Sequence, residues 1–182
     1  MLNWAKNLLL RRPENELAGK LYQDVVEQAR QVAFYRDYGV ADSVDGRFDM
    51  IAIHLFLLLE RLREEKTIRP VTQALVNLVI SDMDSSLREM GASDMSVGKK
   101  VQKMARALYG RIEAYQTAYE ENDDSMLADA VLRNVYRREE GDRAGAEAIS
   151  SYMKAQSRHL SQLPLDGFAK GEIGYTKEGL SQ

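Results

Sequence analysis

The sequence predicts an all-α protein: a single-domain bundle of about seven helices followed by an irregular C-terminal tail. Apolar residues recur at spacings of three and four along most of the chain, which is the period of an amphipathic helix. No run combines alternating apolar and polar residues with the β-branched enrichment of strands. Each of the three prolines, Pro13, Pro70 and Pro164, stands where a helix can begin or end. Together these observations favour a fold built from helices alone.

The composition limits the classes of protein to consider. The chain has 182 residues, of which 45% are hydrophobic and 29% are charged, as is typical of one soluble domain with its own core. The net charge of −3 gives no global basicity, so we expect no DNA partner. The absence of cysteine excludes disulfides, thiolate metal sites and a cysteine nucleophile. No apolar run reaches the roughly 18 residues of a transmembrane helix, and no signal or leader pattern opens the chain. We therefore predict a cytoplasmic protein.

We divide the chain into three segments. Residues 1–12 form a short N-terminal helix, residues 13–163 form the helical domain, and residues 164–182 form an extended tail. The tail holds four glycines and shows no helical period. We expect it to be either disordered or laid along the bundle.

The first three predicted helices begin and end at recognisable signals. Residues 2–11 place leucines on one side and end in two arginines, which fits packing on the bundle or contact with a membrane interface. Residues 14–37 carry one apolar stripe and stop at a glycine. Residues 42–65 follow a turn in which Asp42 or Asp45 is expected to cap the helix. This third helix is apolar on all sides over its middle turns, which predicts a central position in the bundle.

Four further helices are predicted from the recurrence of apolar residues every three or four positions and from residues typical of helix starts and ends. The fourth covers residues 70–91, from a proline to a glycine, and the fifth covers residues 96–121. The sixth follows acidic capping residues and covers residues 123–140, and the seventh covers residues 141–163.

His54 is the first candidate functional residue, because it is a titratable group inside an apolar helix. It is interpreted either as a hydrogen-bonded core histidine or as the site of a haem- or small-molecule-binding bundle. A metal site needs several ligands, and the other histidine, His159, is more than a hundred residues away. The E-x-x-H pattern of di-iron bundles is also absent. We therefore expect a core histidine, no cofactor and no catalytic residue, and keep haem binding as the alternative.

The turn before the third helix raises two expectations. Arg47 stands beside a helix N-terminus, where the helix dipole disfavours a cation. We expect it to pair with a carboxylate, with Asp45, Asp49 and Asp82 as candidates. Gly46 is expected to permit a close approach or a backbone conformation that other residues resist.

A basic stripe on the fifth helix is a candidate partner-binding surface. Its members are Lys99, Lys100, Lys103, Arg106 and Arg111, with no acid between positions 95 and 111. Surfaces normally mix charges of both signs, so a stripe of one sign is unusual. It would attract an acidic protein, RNA phosphate or anionic lipid headgroups, and an ordinary solvated face is the alternative.

Four methionines near the corner between the fourth and fifth helices are candidates for a client groove. They are Met83, Met90, Met95 and Met104, all within 22 positions. Methionine is unbranched and flexible, so it suits a surface that accepts varied apolar partners. Core filling is the alternative interpretation.

Two long strings carry a resemblance to a known family. "DSVDGRFDMIAIHLFLLLERL" and "DMDSSLREMGASDMSVGKKVQKMARALYGRIEAY", followed by "LRNVY", resemble the ubiquinol–cytochrome c chaperone family, over about residues 20–140. Members of that family are assembly factors for the cytochrome bc1 complex. The matched positions that we expect to be structural are Asp42, Asp45, Gly46, Arg47, His54, Asp82, Asp84 and Arg88.

The resemblance implies a bacterial, non-enzymatic chaperone. Mitochondrial members help newly made cytochrome b to mature, act with a small partner protein and associate with the ribosome near its tunnel exit. By resemblance, the expected partners of this chain are nascent or newly inserted cytochrome b and the ribosome. We also expect peripheral contact with the cytoplasmic face of the inner membrane.

Overall fold

Residues 12–137 and 142–176 are described by a computed structural model, and helices account for their regular structure. In chain order the elements are α1 (Pro13–Ala29), α2 (Val32–Arg36), α3 (Val44–Arg61), a 3₁₀ helix (Lys66–Ile68), α4 (Arg69–Glu89), α5 (Asp94–Glu120), α6 (Asp124–Asn134), α7 (Arg143–Gln162) and α8 (Leu165–Lys170). The prediction of an all-α fold is confirmed. The predicted helix over residues 2–11 lies outside the described residues.

The core is organised around α3, which packs against α1, α5 and α7. The buried residues of its middle turns are Met50, Ala52, Ile53, His54, Leu55, Phe56, Leu57 and Leu58. Each large apolar side chain removed from water contributes about 1.5–3 kcal/mol, so a helix of this kind is stable only with partners on every side. The predicted central position of the third helix is confirmed. Although α3 is strongly apolar, none of the helices within the described residues has the length and hydropathy of a membrane-spanning segment.

The start of α3 differs from the prediction. Its N-cap is Ser43, whose hydroxyl oxygen accepts a hydrogen bond from the Gly46 N–H at 3.1 Å, so the expected aspartate cap is wrong. Asp42 instead accepts a hydrogen bond from Arg47 at 2.8 Å, and this carboxylate was not among the expected partners of that arginine. A Cβ atom at position 46 would collide with the carbonyl oxygen of Ala41. Glycine is therefore needed here for space.

The second predicted helix is in fact two helices. The chain leaves α1 and turns through Gln31, whose φ of −58° and ψ of 128° are not helical. The Tyr35 hydroxyl donates to the carbonyl oxygen of Ala29 at 2.8 Å and so occupies one group freed at the end of α1. This break turns Phe34 into the core, where it is fully buried.

The segment after α7 corrects the expectation of a tail without helix. Phe168 of α8 is buried, and its ring centroid lies 5.2 Å from the guanidinium carbon of Arg61. Gly171 then ends α8 with a φ of +88°, a conformation that favours glycine. Farther on, the Tyr175 hydroxyl donates to the carbonyl oxygen of His54 at 2.9 Å. Up to residue 176 the segment therefore lies along the bundle.

Candidate protein-binding groove

A groove with a volume of about 340 Å³ opens between four helices of the bundle. Its lining residues are Tyr22 from α1 and Arg30 from its C-cap, Val44, Arg47, Phe48 and Ile51 from α3, Val79, Asp82, Met83, Ser86, Glu89 and Met90 from α4 and its C-cap, and Met104 from α5. The apolar members on α3 recur at four and three residues, and those on α4 and its C-cap recur at four and seven, so each helix presents one stripe to the groove.

Three of the four methionines singled out in the sequence meet in this groove. Met83 is buried at its base and Met104 is half-buried beside it. Met90 stands at the mouth with 53% of its surface exposed. Met95 is not part of the lining and is 92% exposed. An exposed methionine above a buried apolar base is a surface on which an apolar partner can be seated.

Arg111 of α5 contacts the ring of Phe48 where that residue lines the groove. The guanidinium carbon of Arg111 lies 5.1 Å from the centroid of the Phe48 ring, which is a cation–π contact. The same guanidinium approaches the carboxylate of Asp49 at 2.7 Å, and its side chain is only 14% exposed. The structure therefore places Arg111 inside an ion pair, apart from the exposed basic stripe to which the sequence assigned it.

Asp49 is the charged centre of this arrangement and is fully buried. Its second oxygen accepts a hydrogen bond from Arg137 at 2.7 Å. Burial raises the pKa of Asp49, and the guanidinium groups of Arg111 and Arg137 oppose that rise. Two arginines from different parts of the chain thus fix the position of α3 beside the groove.

The other four members of the basic stripe lie on the exposed surface of α5. These residues are Lys99, Lys100, Lys103 and Arg106. Met104 lies among them in sequence and is a lining residue of the groove. On the helix only Lys100 lies one turn from Met104, whereas Lys99, Lys103 and Arg106 lie about 100–160° around α5 from it. The basic stripe, now limited to these four residues, is therefore largely on a different face of α5 from the groove.

His54 is completely buried and has a partner at each ring nitrogen. Nδ1 lies 2.8 Å from the carbonyl oxygen of Met50, and Nε2 lies 2.8 Å from the hydroxyl of Tyr152, which also accepts a hydrogen bond from Gln28. Burial lowers the pKa of His54 to about 4, so the ring is neutral at physiological pH. A neutral ring with both nitrogens engaged has no free position for haem, so the haem-binding alternative is not favoured. Among the described side chains, no cluster of three or more His, Asp and Glu has a metal-site arrangement.

The remaining acidic motif residues have local partners. Asp82 accepts a hydrogen bond from the Tyr22 hydroxyl at 2.8 Å, which joins α4 to α1 at the edge of the groove. Asp84 pairs with Arg88 at 2.7 Å, and the same arginine reaches Asp94 at the start of α5. These contacts fix the corner between α4 and α5, where the groove has its mouth.

Asp45 is highly exposed and lies 3.8 Å from the Arg137 guanidinium.

The contributions of Tyr22, Arg30 and Arg137 were not predicted from the sequence. Nothing in the local pattern marks these three residues, because Tyr22 and Arg30 contribute only when α1 packs on α4, and Arg137 contributes through its hydrogen bond to Asp49 of α3.

Comparison with known proteins gives one family. Residues 36–176 match the family model described as Ubiquinol-cytochrome C chaperone. This match extends farther toward the C-terminus than the resemblance seen in the sequence and begins after α1. The crystal structure of the Cbp3 homolog from Brucella abortus superposes with a TM-score of 0.81 and 30% identity, covering 97% of each chain.

The curated relatives are longer than this chain. The Drosophila melanogaster protein named ubiquinol-cytochrome c reductase complex assembly factor 1 is 26% identical over 156 residues, which cover 81% of this chain and 59% of that protein. The human protein of that name is 22% identical over 145 residues, which cover 79% of this chain and 48% of that protein. The chain thus spans about half to three fifths of the length of these two relatives.

Proposed function

Because the chain belongs to the Ubiquinol-cytochrome C chaperone family, we propose that it is a non-enzymatic assembly factor for the ubiquinol–cytochrome c reductase complex. Its client is an apolar segment of newly made cytochrome b. The observation that carries this proposal is the groove in which Met83, Met90 and Met104 come together. Cytochrome b is a membrane-embedded subunit, so its segments expose apolar surface until they are inserted and packed.

The character of the groove supports binding more than chemistry. Its base is apolar, and its charged residues stand at the exposed rim. The arginine beside the groove, Arg111, forms an ion pair with Asp49 and a cation–π contact with Phe48. An adaptable apolar base with a charged rim is the anatomy of a protein-binding surface, where apolar anchors sit centrally and polar groups surround them.

The basic stripe is the proposed second surface. Four exposed cations on one helix would be attracted to ribosomal RNA phosphates near the tunnel exit, or to anionic headgroups at the cytoplasmic face of the inner membrane. Either location would bring the groove to a client that is still being synthesised or inserted. The protein would then act in the cytoplasm or peripherally at that membrane face.

Site-specific crosslinking in cells tests the client assignment. The photoreactive residue p-benzoylphenylalanine replaces Met90 at the mouth of the groove. The matched control carries it at Met126, an exposed methionine of α6 that is not in the groove lining. We expect a light-dependent adduct that contains cytochrome b from position 90 and none from position 126. Equal adducts at both positions, or no cytochrome b at position 90, would contradict the proposal.

A further inference from the structure

We infer that the groove receives a helical segment with oppositely charged flanks, and that the charges on the groove rim fix the direction in which this helix runs. The inference rests on the proposed function, because it takes the groove to be the client site. It adds the conformation, the charge pattern and the orientation of the bound segment.

The spacing of the groove residues fits a helical occupant. On α4 and its C-cap the stripe consists of Val79, Met83, Ser86 and Met90, and on α3 it consists of Val44, Phe48 and Ile51. The longer stripe spans 12 residues, and the 11 steps between its ends rise about 16.5 Å at 1.5 Å per residue, which is about three helical turns. The apolar stripe of a bound helix repeats at the same interval, so its side chains can enter the gaps between those of α3 and α4. Same-face side chains of an extended strand repeat about every 6.6–6.8 Å and lose register over this length.

The charged residues of the rim are sorted by sign. Arg30 and Arg47 come from the C-cap of α1 and from α3, whereas Asp82 and Glu89 come from α4, where Asp82 also accepts a hydrogen bond from Tyr22 of α1 at 2.8 Å. All four are exposed. The pair between Arg47 and Asp42 is exposed as well, and such a pair contributes only about 0–1 kcal/mol, so a carboxylate of a bound segment can replace it.

This sorting distinguishes the two directions of a bound helix. A helix turned end for end, with the same apolar face toward the groove, exchanges its left and right flanks. Only one direction therefore places an acidic flank beside the arginines and a basic flank beside the α4 acids. The other direction brings like charges together, which disfavours it.

Two synthetic helix-stabilised peptides test the inference on the full-length chain. Both have 14 residues, the same composition and the same leucine stripe, with glutamates on one flank and lysines on the other. The second peptide has the two flanks exchanged. Each carries benzophenone at its N-terminus, and mass spectrometry locates the crosslink at low salt, where exposed charges are screened least.

We expect the two peptides to label opposite ends of the α4 stripe, one near Val79 and the other near Met90. The preferred end should carry at least about fivefold more label, which corresponds to about 1 kcal/mol. The variant Arg30→Glu, Arg47→Glu, Asp82→Lys, Glu89→Lys should exchange the two positions, with unchanged helical circular dichroism as its control for folding.

The peptide labelling distinguishes the direction of the bound helix from the use of the groove as the client site. If both peptides label the groove without a preferred end, or if the fourfold variant leaves the labelled ends unchanged, the inference about charge and direction is overturned and the groove remains the binding site. If neither peptide labels the groove, both the inference and its assignment as the client site are overturned.

Discussion

Arg111 of α5 and Asp49 of α3 form an ion pair with a nitrogen–oxygen distance of 2.7 Å in which the carboxylate is fully buried. The same guanidinium lies 5.1 Å from the ring centroid of Phe48, which lines the groove. One arginine thus connects the charged centre of the core to the proposed binding surface. A change at this position is expected to affect both stability and the shape of the groove.

Replacement of Arg111 by alanine should be strongly destabilising. It removes one partner from a buried carboxylate, and breaking a buried pair in this way typically costs about 3–5 kcal/mol. Urea denaturation measures the change in the free energy of unfolding. Arg106→Ala, on the exposed surface of the same helix, is the control and should change it by less than about 0.5 kcal/mol. A loss below about 1 kcal/mol for Arg111→Ala would show that the pair does not stabilise the fold.

The stability of the protein should depend on pH through His54. Its pKa in the folded state is about 4, against 6.5 for an exposed histidine, so the unfolded chain takes up the proton first as pH falls. The stabilisation is complete above pH 6.5 and is lost progressively as the pH falls toward 4. Between pH 6.5 and 5 the free energy of unfolding should drop by about 1.5 kcal/mol from this group.

Two histidine variants separate this contribution from that of other groups. His54→Gln should remove most of the drop between pH 6.5 and 5, whatever its stability at neutral pH. His159→Gln changes a histidine that bonds to the backbone at the exposed edge of α7, and the drop should persist. An equal slope in wild type and His54→Gln would refute the assignment.

Two glycine substitutions should have opposite signs. Gly46→Ala forces a methyl group against the carbonyl oxygen of Ala41, and overpacking of this kind costs about 1–3 kcal/mol. Gly98→Ala, in α5, meets no atom within 4 Å and should stabilise by about 0.4–1 kcal/mol, because alanine restricts the unfolded chain. Thermal unfolding measures both variants. A neutral Gly46→Ala would mean that the turn before α3 adjusts without cost.

Reversal of the basic stripe should weaken association without unfolding the protein. The triple variant Lys99→Glu, Lys103→Glu, Arg106→Glu changes only exposed side chains. Its co-sedimentation with ribosomes or anionic vesicles should fall at low salt, where these charges are least screened. A control of equal net charge reverses the exposed residues Lys20, Lys66 and Lys170. If both variants lose the same fraction of binding, total charge and not the stripe is responsible.

The sequence is sufficient for features that depend on helical period. The run around His54 is apolar on all sides, which predicts the central α3, and the clustered methionines predict three residues of the groove. Arg111 was grouped with the basic stripe because it is close to the other cations in sequence. At 100° per residue, however, it lies about 140° around the helix from Arg106 and so belongs to a different face. Its burial follows from the approach of α3, and the contact of Tyr22 with Asp82 joins residues 60 positions apart. The break at Gln31 likewise depends on the core site that receives Phe34.

The central claim is that the chain supports assembly of the cytochrome bc1 complex by holding an apolar segment in the groove. The most direct measurement is the amount of assembled complex in cells in which Met90→Glu replaces the wild-type protein, with Met126→Glu as the control. Both methionines are exposed, so both variants should accumulate normally. We predict that Met90→Glu lowers the assembled complex toward the level of a gene deletion, whereas Met126→Glu leaves it unchanged. A normal amount of complex with Met90→Glu would contradict the account.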